Sequence, residues 1–171
     1  NLVNDAYSKD KLMGMVQSKR EGNSIYKVGC LGKISDYQKS KDGRILINLT
    51  GITRFEILEE KDNNKLYREF SVNYKNFEND LREEDDQVNT VNLIGKAKIF
   101  FKKGGLLINW KEFEKLDQNQ RINTLAMIAP ITTEEKQKIL EAVTINEKIY
   151  NLEGIINFYL HEVSFDNQTI Q

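Results

Sequence analysis

Residues 26–34 have the sequence YKVGCLGKI, which places the only cysteine of the chain between two glycines. Alternation along a strand puts Val28, Cys30 and Ile34 on one face and the lysines on the other. A cysteine in an apolar row behaves as a small hydrophobic residue, and nearby glycines favour a bulge or the close approach of another backbone. The run therefore predicts a bent strand with Cys30 in its packing, and disfavours a nucleophilic thiol.

The chain around this run predicts further strands joined by tight turns. Asp42-Gly43 is a pair typical of a hairpin turn, and Gly51 predicts a bulge or bend. The other predicted strands are residues 12–16, 44–50, 53–58 and 67–74. Several short strands of this kind indicate a small, twisted, mostly antiparallel sheet or barrel.

The second half of the chain changes to helical spacing. Gly104-Gly105 and Pro130 predict the ends of two helices. Helix starts are predicted at three pairs of residues that are three positions apart: Asp117 with Gln120, Thr132 with Glu135, and Thr144 with Glu147. Three or four amphipathic helices with short links predict a small bundle.

These two halves predict the α+β class, with a β domain at residues 1–77 and a helical domain at residues 78–171. The acidic run at residues 78–86 lies where they join. It predicts a solvated linker whose negative charge favours the start of a helix.

The composition excludes several classes of protein. A net charge of −1 supplies no overall field for binding nucleic acid. A single cysteine cannot form an internal disulfide, so a cytoplasmic location is expected. The sequence has no apolar run of membrane-spanning length and no signal-peptide pattern.

Catalytic patterns are also missing from the sequence. His161 is the only histidine, and no recognisable pattern supplies an orienting group for a dyad with Cys30. A zinc site would need further ligands that no spacing suggests, and there is no phosphate-binding glycine loop. We therefore predict no catalytic residue, no cofactor and no metal site.

Peptide binding is the function that remains. Met13, Met15 and Leu31, together with Phe100 and Phe101, are the predicted peptide-binding residues, since adaptable apolar patches suit promiscuous binding. Packing in the core is the alternative, and it is favoured for each of the first three taken singly.

RNA binding is the rival hypothesis. Lys96, Lys98, Lys102 and Lys103 alternate with aromatic residues, as in some nucleic-acid contacts. The simpler interpretation is a helix end at which lysines complement the helix dipole. The neutral charge balance favours that interpretation.

The same stretches resemble the N-terminal, substrate-binding domain of Lon-type ATP-dependent proteases and the small stand-alone bacterial proteins built on it. The resemblance lies in DKLMGMVQ (10–17), YKVGCLGKI (26–34), DGRILINLTGITRFEILEE (42–60), YREFSVNY (67–74) and DQNQRINTLAMIAPITTEEKQKILEA (117–142). It implies a PUA-like β-barrel half followed by a helical bundle. It also implies an upstream first strand, which we expect either outside this chain or missing from one wall of the barrel.

The resemblance further implies what the chain binds. Lon proteases carry ATPase and proteolytic modules that do not fit in 171 residues. What carries over is recognition of unfolded or tagged polypeptide segments, or of a protease or chaperone partner. No family catalytic residue carries over to this sequence.

Overall fold

The computed structural model describes residues 1–20, 22–82 and 88–166, with side chains as far as His161. It divides into two compact units, Asn1–Glu84 and Asp85–Gln171, called here the sheet unit and the helical unit. The sheet unit contains α1 (Leu2–Tyr7), β1 (Leu12–Met15), β2 (Val28–Lys39), β3 (Ile45–Lys61), β4 (Glu69–Asn73) and a 3₁₀ helix (Lys75–Leu81). The helical unit contains α2 (Val91–Lys103), α3 (Trp110–Phe113), α4 (Gln118–Ile128), α5 (Thr133–Glu141) and α6 (Ile145–Asp166).

The four strands of the sheet unit form one antiparallel sheet in the order β1-β2-β3-β4. Each strand pairs with the next along the chain, so the described residues form an open sheet with β1 and β4 at its edges. The predicted α+β class is confirmed, because helices follow this sheet. Closure into a PUA-like barrel is not confirmed in the described residues and stays a prediction.

The predicted turn lies between β2 and β3. Gly43 has a φ of +87°, a left-handed conformation that glycine adopts without strain. The backbone N–H of Arg44 donates to Oδ1 of Asp42 at 3.2 Å, which closes the turn. The Asp-Gly turn is therefore confirmed.

A bulge interrupts the pairing of β2 with β3. Leu31 lies opposite Thr53, whereas Gly32 lies opposite Gly51, so Ile52 is the extra residue on β3. The bulge predicted at Gly51 is confirmed. The two strands predicted on either side of it are one continuous strand.

Two other glycines leave room for an aromatic ring against the sheet. Gly29 is opposite Phe55, whose ring covers both Gly14 and Gly29. A Cβ on Gly29 would lie 2.6 Å from the carbonyl oxygen of Met15 and 2.7 Å from the Phe55 ring. Only glycine fits this position, because real Cβ atoms do not approach so closely.

A buried ion pair joins β3 to the 3₁₀ helix. Nη2 and Nε of Arg54 donate to Oδ1 and Oδ2 of Asp80 at 2.7 and 2.8 Å, and the guanidinium lies 4.4 Å from the centre of the Phe77 ring. The predicted solvated linker is therefore wrong at Asp80, because Arg54 is buried and its charge needs this carboxylate. Residues 78, 79, 81 and 82 of the predicted linker are exposed, and residues 83–86 lie outside the described residues.

The predicted starts of α4, α5 and α6 are confirmed. Asp117 with Gln120 and Thr132 with Glu135 form reciprocal capping boxes. Thr144 and Glu147 also exchange hydrogen bonds, at 3.1 and 3.2 Å. The ends are confirmed as well, since Gly104 caps α2 and α4 stops before Pro130. Local side chains therefore determine where these helices begin and end.

One cluster of buried side chains forms the core of the helical unit. It comprises Leu93, Ala97, Phe100, Phe101, Phe113, Ile122, Leu125, Ala129, Ile139, Ile145, Ile149, Leu152, Ile155 and Ile156. On α2 the buried face therefore includes two consecutive aromatic rings. Val91, the first apolar residue of that helix, is exposed.

Candidate polypeptide-binding surface

Cys30 lies in a packed part of the sheet unit. Its partners across the sheet are Met15 on β1 and Arg54 on β3. The side chain is half-buried, and Sγ lies 3.8 Å from the place where a Cβ on Gly51 would be. Sγ donates a weak hydrogen bond to the carbonyl oxygen of Leu31 at 3.7 Å. These contacts agree with a packing role for the thiol.

His161 is the other residue considered for chemistry. It is exposed on α6 of the helical unit. Within the described ranges, no three or more His, Cys, Asp or Glu side chains are grouped so that they could hold a metal ion. In the same part of the chain, no helix is both long and apolar enough to cross a membrane.

Three of the predicted peptide-binding residues lie at the β1 edge of the sheet. Met15 ends β1 and is 58% exposed, Leu31 is half-buried on β2, and Met13 is buried. Gly14 lies opposite Leu31 and Met15 opposite Cys30, so Leu31 and Met15 point to opposite faces. Met13 is part of the packing beneath this edge and is not available to a ligand at its surface.

Phe100 and Phe101 lie elsewhere. Both rings are buried in the core of the helical unit, where Phe100 also packs against Tyr159 at 5.7 Å between ring centres. The hydrophobic effect draws these two rings inward, since they are the largest apolar groups on α2. As placed, they do not line a surface, and we leave them out of the proposed site.

Leu12 is the residue of this edge that sequence reasoning missed. It is exposed at the start of β1 and shares a face with Leu31, which lies diagonally across the β1–β2 pair. Met15 is exposed on the other face. Alternation along 12–15 could have indicated this, because residues three apart in a strand point to opposite sides.

The backbone of β1 adds directional groups to these apolar side chains. Among the described residues, β1 pairs only with β2. An edge strand presents N–H and C=O groups that can pair with another extended chain. The arrangement can therefore bind an extended polypeptide, with side-chain contacts on both faces. We call Leu12, Met15, Leu31 and this strand edge the β1 edge surface.

Ion pairs and hydrogen bonds fasten α1 and the connection between β3 and β4 within the sheet unit. The hydroxyl of Tyr67 donates to Asp5 on α1 at 2.9 Å, which lowers the pKa of the Asp5 carboxyl and raises that of the phenol. Two hydrogen bonds from Arg68, both at 2.6 Å, lower the pKa of Glu60. These contacts hold α1 and the β3–β4 connection in place.

The lysines considered for RNA binding are partly engaged within the protein. Nζ of Lys96 lies 3.9 Å from Glu153. Nζ of Lys98 lies 3.6 Å from Glu114 and 5.1 Å from the centre of the Trp110 ring. Carboxylates beside these lysines do not favour a phosphate-binding face.

Comparisons with known proteins agree on one family. The family model of the ATP-dependent protease La (LON) substrate-binding domain matches residues 1–157. Lon protease 1 of Hydrogenovibrio crunogenus is 25% identical over 162 residues, with coverage of 89% of this chain and 20% of that protein. The chain therefore spans about a fifth of the length of this curated relative.

Solved structures show the same fold. A Lon N-terminal domain protein from Xanthomonas campestris has a TM-score of 0.60 at 17% identity, covering 91% of this chain and 80% of that one. The N-terminal domain of Mycobacterium avium complex Lon protease has a TM-score of 0.55 at 13% identity, covering 91% and 82%. With the family model matching most of the chain, the protein belongs to the Lon substrate-binding domain family.

Proposed function

We propose that this chain is a non-enzymatic recognition module that binds unfolded or tagged polypeptide segments. Membership of a substrate-binding family supports binding of protein substrates. The observation that carries the proposal is the β1 edge surface, where the exposed side chains of Leu12 and Met15 lie on opposite faces of an edge strand. A protease or chaperone partner in the cytoplasm would receive the bound segment.

The geometry suggests how such a segment would bind. An extended chain adds to β1 through backbone hydrogen bonds, which do not depend on its sequence. Its alternate side chains then fall on the Met15 side and on the Leu12 and Leu31 side of the sheet. The thioether of Met15 is flexible and polarisable, so it tolerates ligand side chains of different shapes. Broad and weak recognition follows.

Fluorescence anisotropy with a labelled unfolded protein tests this proposal. The probe is fluorescein-labelled α-lactalbumin, reduced and carboxymethylated so that it stays unfolded. We expect a Kd on the order of 10 μM, and Met15→Asp should weaken it at least tenfold because a charge enters the apolar contact.

The matched control is Leu66→Asp, which places the same charge on a fully exposed leucine of the sheet unit outside this edge. It should leave binding unchanged. Equal binding by the Met15→Asp variant and the unsubstituted protein would refute the assigned surface. Absence of binding at several hundred micromolar would refute the recognition function itself.

A further inference from the structure

Helices α2 and α6 lie side by side and run in the same direction. Nδ2 of Asn92 donates to Glu153 at 3.2 Å, and Nζ of Lys96 lies 3.9 Å from the same carboxylate. Farther along, the rings of Phe100 and Tyr159 are 5.7 Å apart. Residues with higher numbers on α2 thus contact residues with higher numbers on α6, so the two helices are parallel.

The outer face of this helix pair carries exposed apolar residues. They are Val91 (78% exposed), Ile99 (53%), Tyr150 (80%) and Phe158 (56%). On each helix the two apolar residues are eight positions apart, with Gly95 or Gly154 midway. Residues four and eight apart lie on one side of a helix. We call these six residues the α2–α6 face.

The two halves of this face point the same way. The buried residues of both helices belong to one core cluster, so their opposite sides both point away from it. The contacts of Glu153 and Tyr159 with α2 set the relative level of the two helices. That register brings Gly95 to the level of Gly154.

A trough therefore crosses the pair at the two glycines. Its walls are Val91 with Tyr150 at one end and Ile99 with Phe158 at the other. Eight residues of helix rise about 12 Å, so the backbone positions of the two walls are about that far apart. The Cα atoms of a helix lie on a cylinder of about 2.3 Å radius, so the backbone of one helix can lie across α2 and α6 between these walls.

The protein's own fold does not explain the glycines. A Cβ on Gly95 or Gly154 would meet no atom of the described residues within 4 Å. Glycine within a helix is destabilising relative to alanine, so a gain outside the helix pair is needed to account for both. Close approach of a second backbone supplies such a gain, because a missing side chain lets two helices pack more closely.

The charges beside the trough indicate the chemistry of the occupant. α2 carries lysines and no acidic residue, and Lys102 lies seven positions after Gly95 on the same side of the helix. Lys102 and Lys103 are exposed and make no ion pair with another described residue. An acidic flank on the bound helix would complement them.

We propose that the α2–α6 face binds an amphipathic helix of a partner polypeptide. A narrow apolar stripe on that helix packs over Gly95 and Gly154, and its acidic flank faces Lys102. This site differs from the β1 edge surface in the form of polypeptide it takes, a folded helix in place of an extended chain. The inference therefore does not depend on the proposed function.

The test uses the full chain and a designed helical probe. The probe is a fluorescein-labelled 18-residue peptide of Leu, Ala, Gln and Glu, stapled as a helix, with leucines in one stripe and glutamates on one flank. Replacing both glycines (Gly95→Gln and Gly154→Gln) fills the trough without a clash inside the protein. We expect at least a tenfold loss of peptide affinity, with a melting temperature equal to or above that of the unsubstituted chain.

Two comparisons complete the test. Met127→Gln alters an exposed apolar residue of α4 outside the face and should leave affinity unchanged. Lys102→Glu should weaken the acidic probe about threefold and reduce its salt dependence. A probe with Lys in place of Glu should bind at least tenfold more weakly than the acidic one.

Three results would overturn the proposal. One is equal affinity of the double glycine variant and the unsubstituted chain, and another is equal binding of an unstapled probe with a central proline. The third is a dimer, seen by analytical ultracentrifugation, that becomes a monomer in the double glycine variant while the probe never binds. That last result would assign the face to a second copy of the chain.

Discussion

The helix starts of the helical unit and the buried ion pair of the sheet unit depend on interactions of different range. In the helical unit, each capping box joins residues three apart, as in Asp117 with Gln120. In the sheet unit, Arg54 binds Asp80 across 26 positions, and Tyr67 binds Asp5 across 62. The difference implies that single substitutions in the sheet unit disturb distant segments, whereas those at helix starts have local and smaller effects.

The largest effect is expected from Asp80→Asn. It removes the carboxylate that the buried Arg54 guanidinium binds at 2.7 Å, and breaking one side of a buried pair costs about 3–5 kcal/mol. We expect faster hydrogen exchange of the amides of β3 and of the 3₁₀ helix. Trp110, the only tryptophan, reports on the helical unit through its fluorescence, and its unfolding midpoint in urea should change less.

Asp42→Asn is the matched control for that experiment. Asp42 forms an exposed ion pair with Arg44 at 2.6 Å, and exposed pairs contribute little to stability. Its hydrogen exchange should therefore stay close to that of the unsubstituted protein. Equal effects of the two substitutions would show that the buried Arg54–Asp80 pair contributes no more to the stability of the sheet unit than an exposed ion pair does.

The next largest effect is expected when glycine is replaced by alanine in each of the two units. Gly29→Ala places a Cβ 2.6 Å from the Met15 carbonyl oxygen and should destabilise the sheet unit by roughly 1–3 kcal/mol. Gly154→Ala has open space and should stabilise the helical unit by about 0.5–1 kcal/mol. Hydrogen exchange, monitored during urea denaturation, measures both changes in stability. Changes of the same sign in the two units would contradict this prediction.

The smallest effect is a loss of sheet-unit stability in acid. Hydrogen bonds from Arg68 and Lys65 lower the pKa values of Glu60 and Glu69 in the folded protein. A folded pKa below the unfolded value stabilises the protein above the unfolded pKa, and this contribution is lost as pH falls through the folded one. Melting temperatures between pH 7 and pH 3 should therefore fall mainly below about pH 4.5.

Glu60→Gln is the control for the acid effect. The glutamine cannot titrate, so the variant should lose less stability between pH 7 and pH 3 than the unsubstituted protein. An acid-induced loss of the same size in both would show that the Glu60–Arg68 pair does not contribute to it.

The features that the sequence predicted correctly depend on residues that are close together in the chain. The turn at Asp42-Gly43 and the start at Thr132 each depend on residues within three positions, and both are confirmed. The placement of Phe100 and Phe101 depends instead on which side of α2 the other helices cover. Sequence spacing could not choose between a surface and a core for these rings.

The candidate sites show the same division. Met15 was named from sequence and is exposed, but its neighbour Leu12 was not named. The α2–α6 face was not predicted either, although Gly95 and Gly154 are visible in the sequence at helical spacing from exposed apolar residues. A helical wheel drawn from the sequence shows such a stripe. Only the packing of the other helices shows which stripe remains exposed to solvent.

The amino-acid sequence by itself determined the family, the order of strands before helices and the positions of turns and caps. These depend on backbone preferences and on side chains that reach only the next turn. Only the tertiary structure decided that Arg54 pairs with Asp80, that Phe100 and Phe101 are buried, and that Val91 is exposed. Burial and charge pairing depend on segments far apart in the chain, and their free energies exist only once those segments have met.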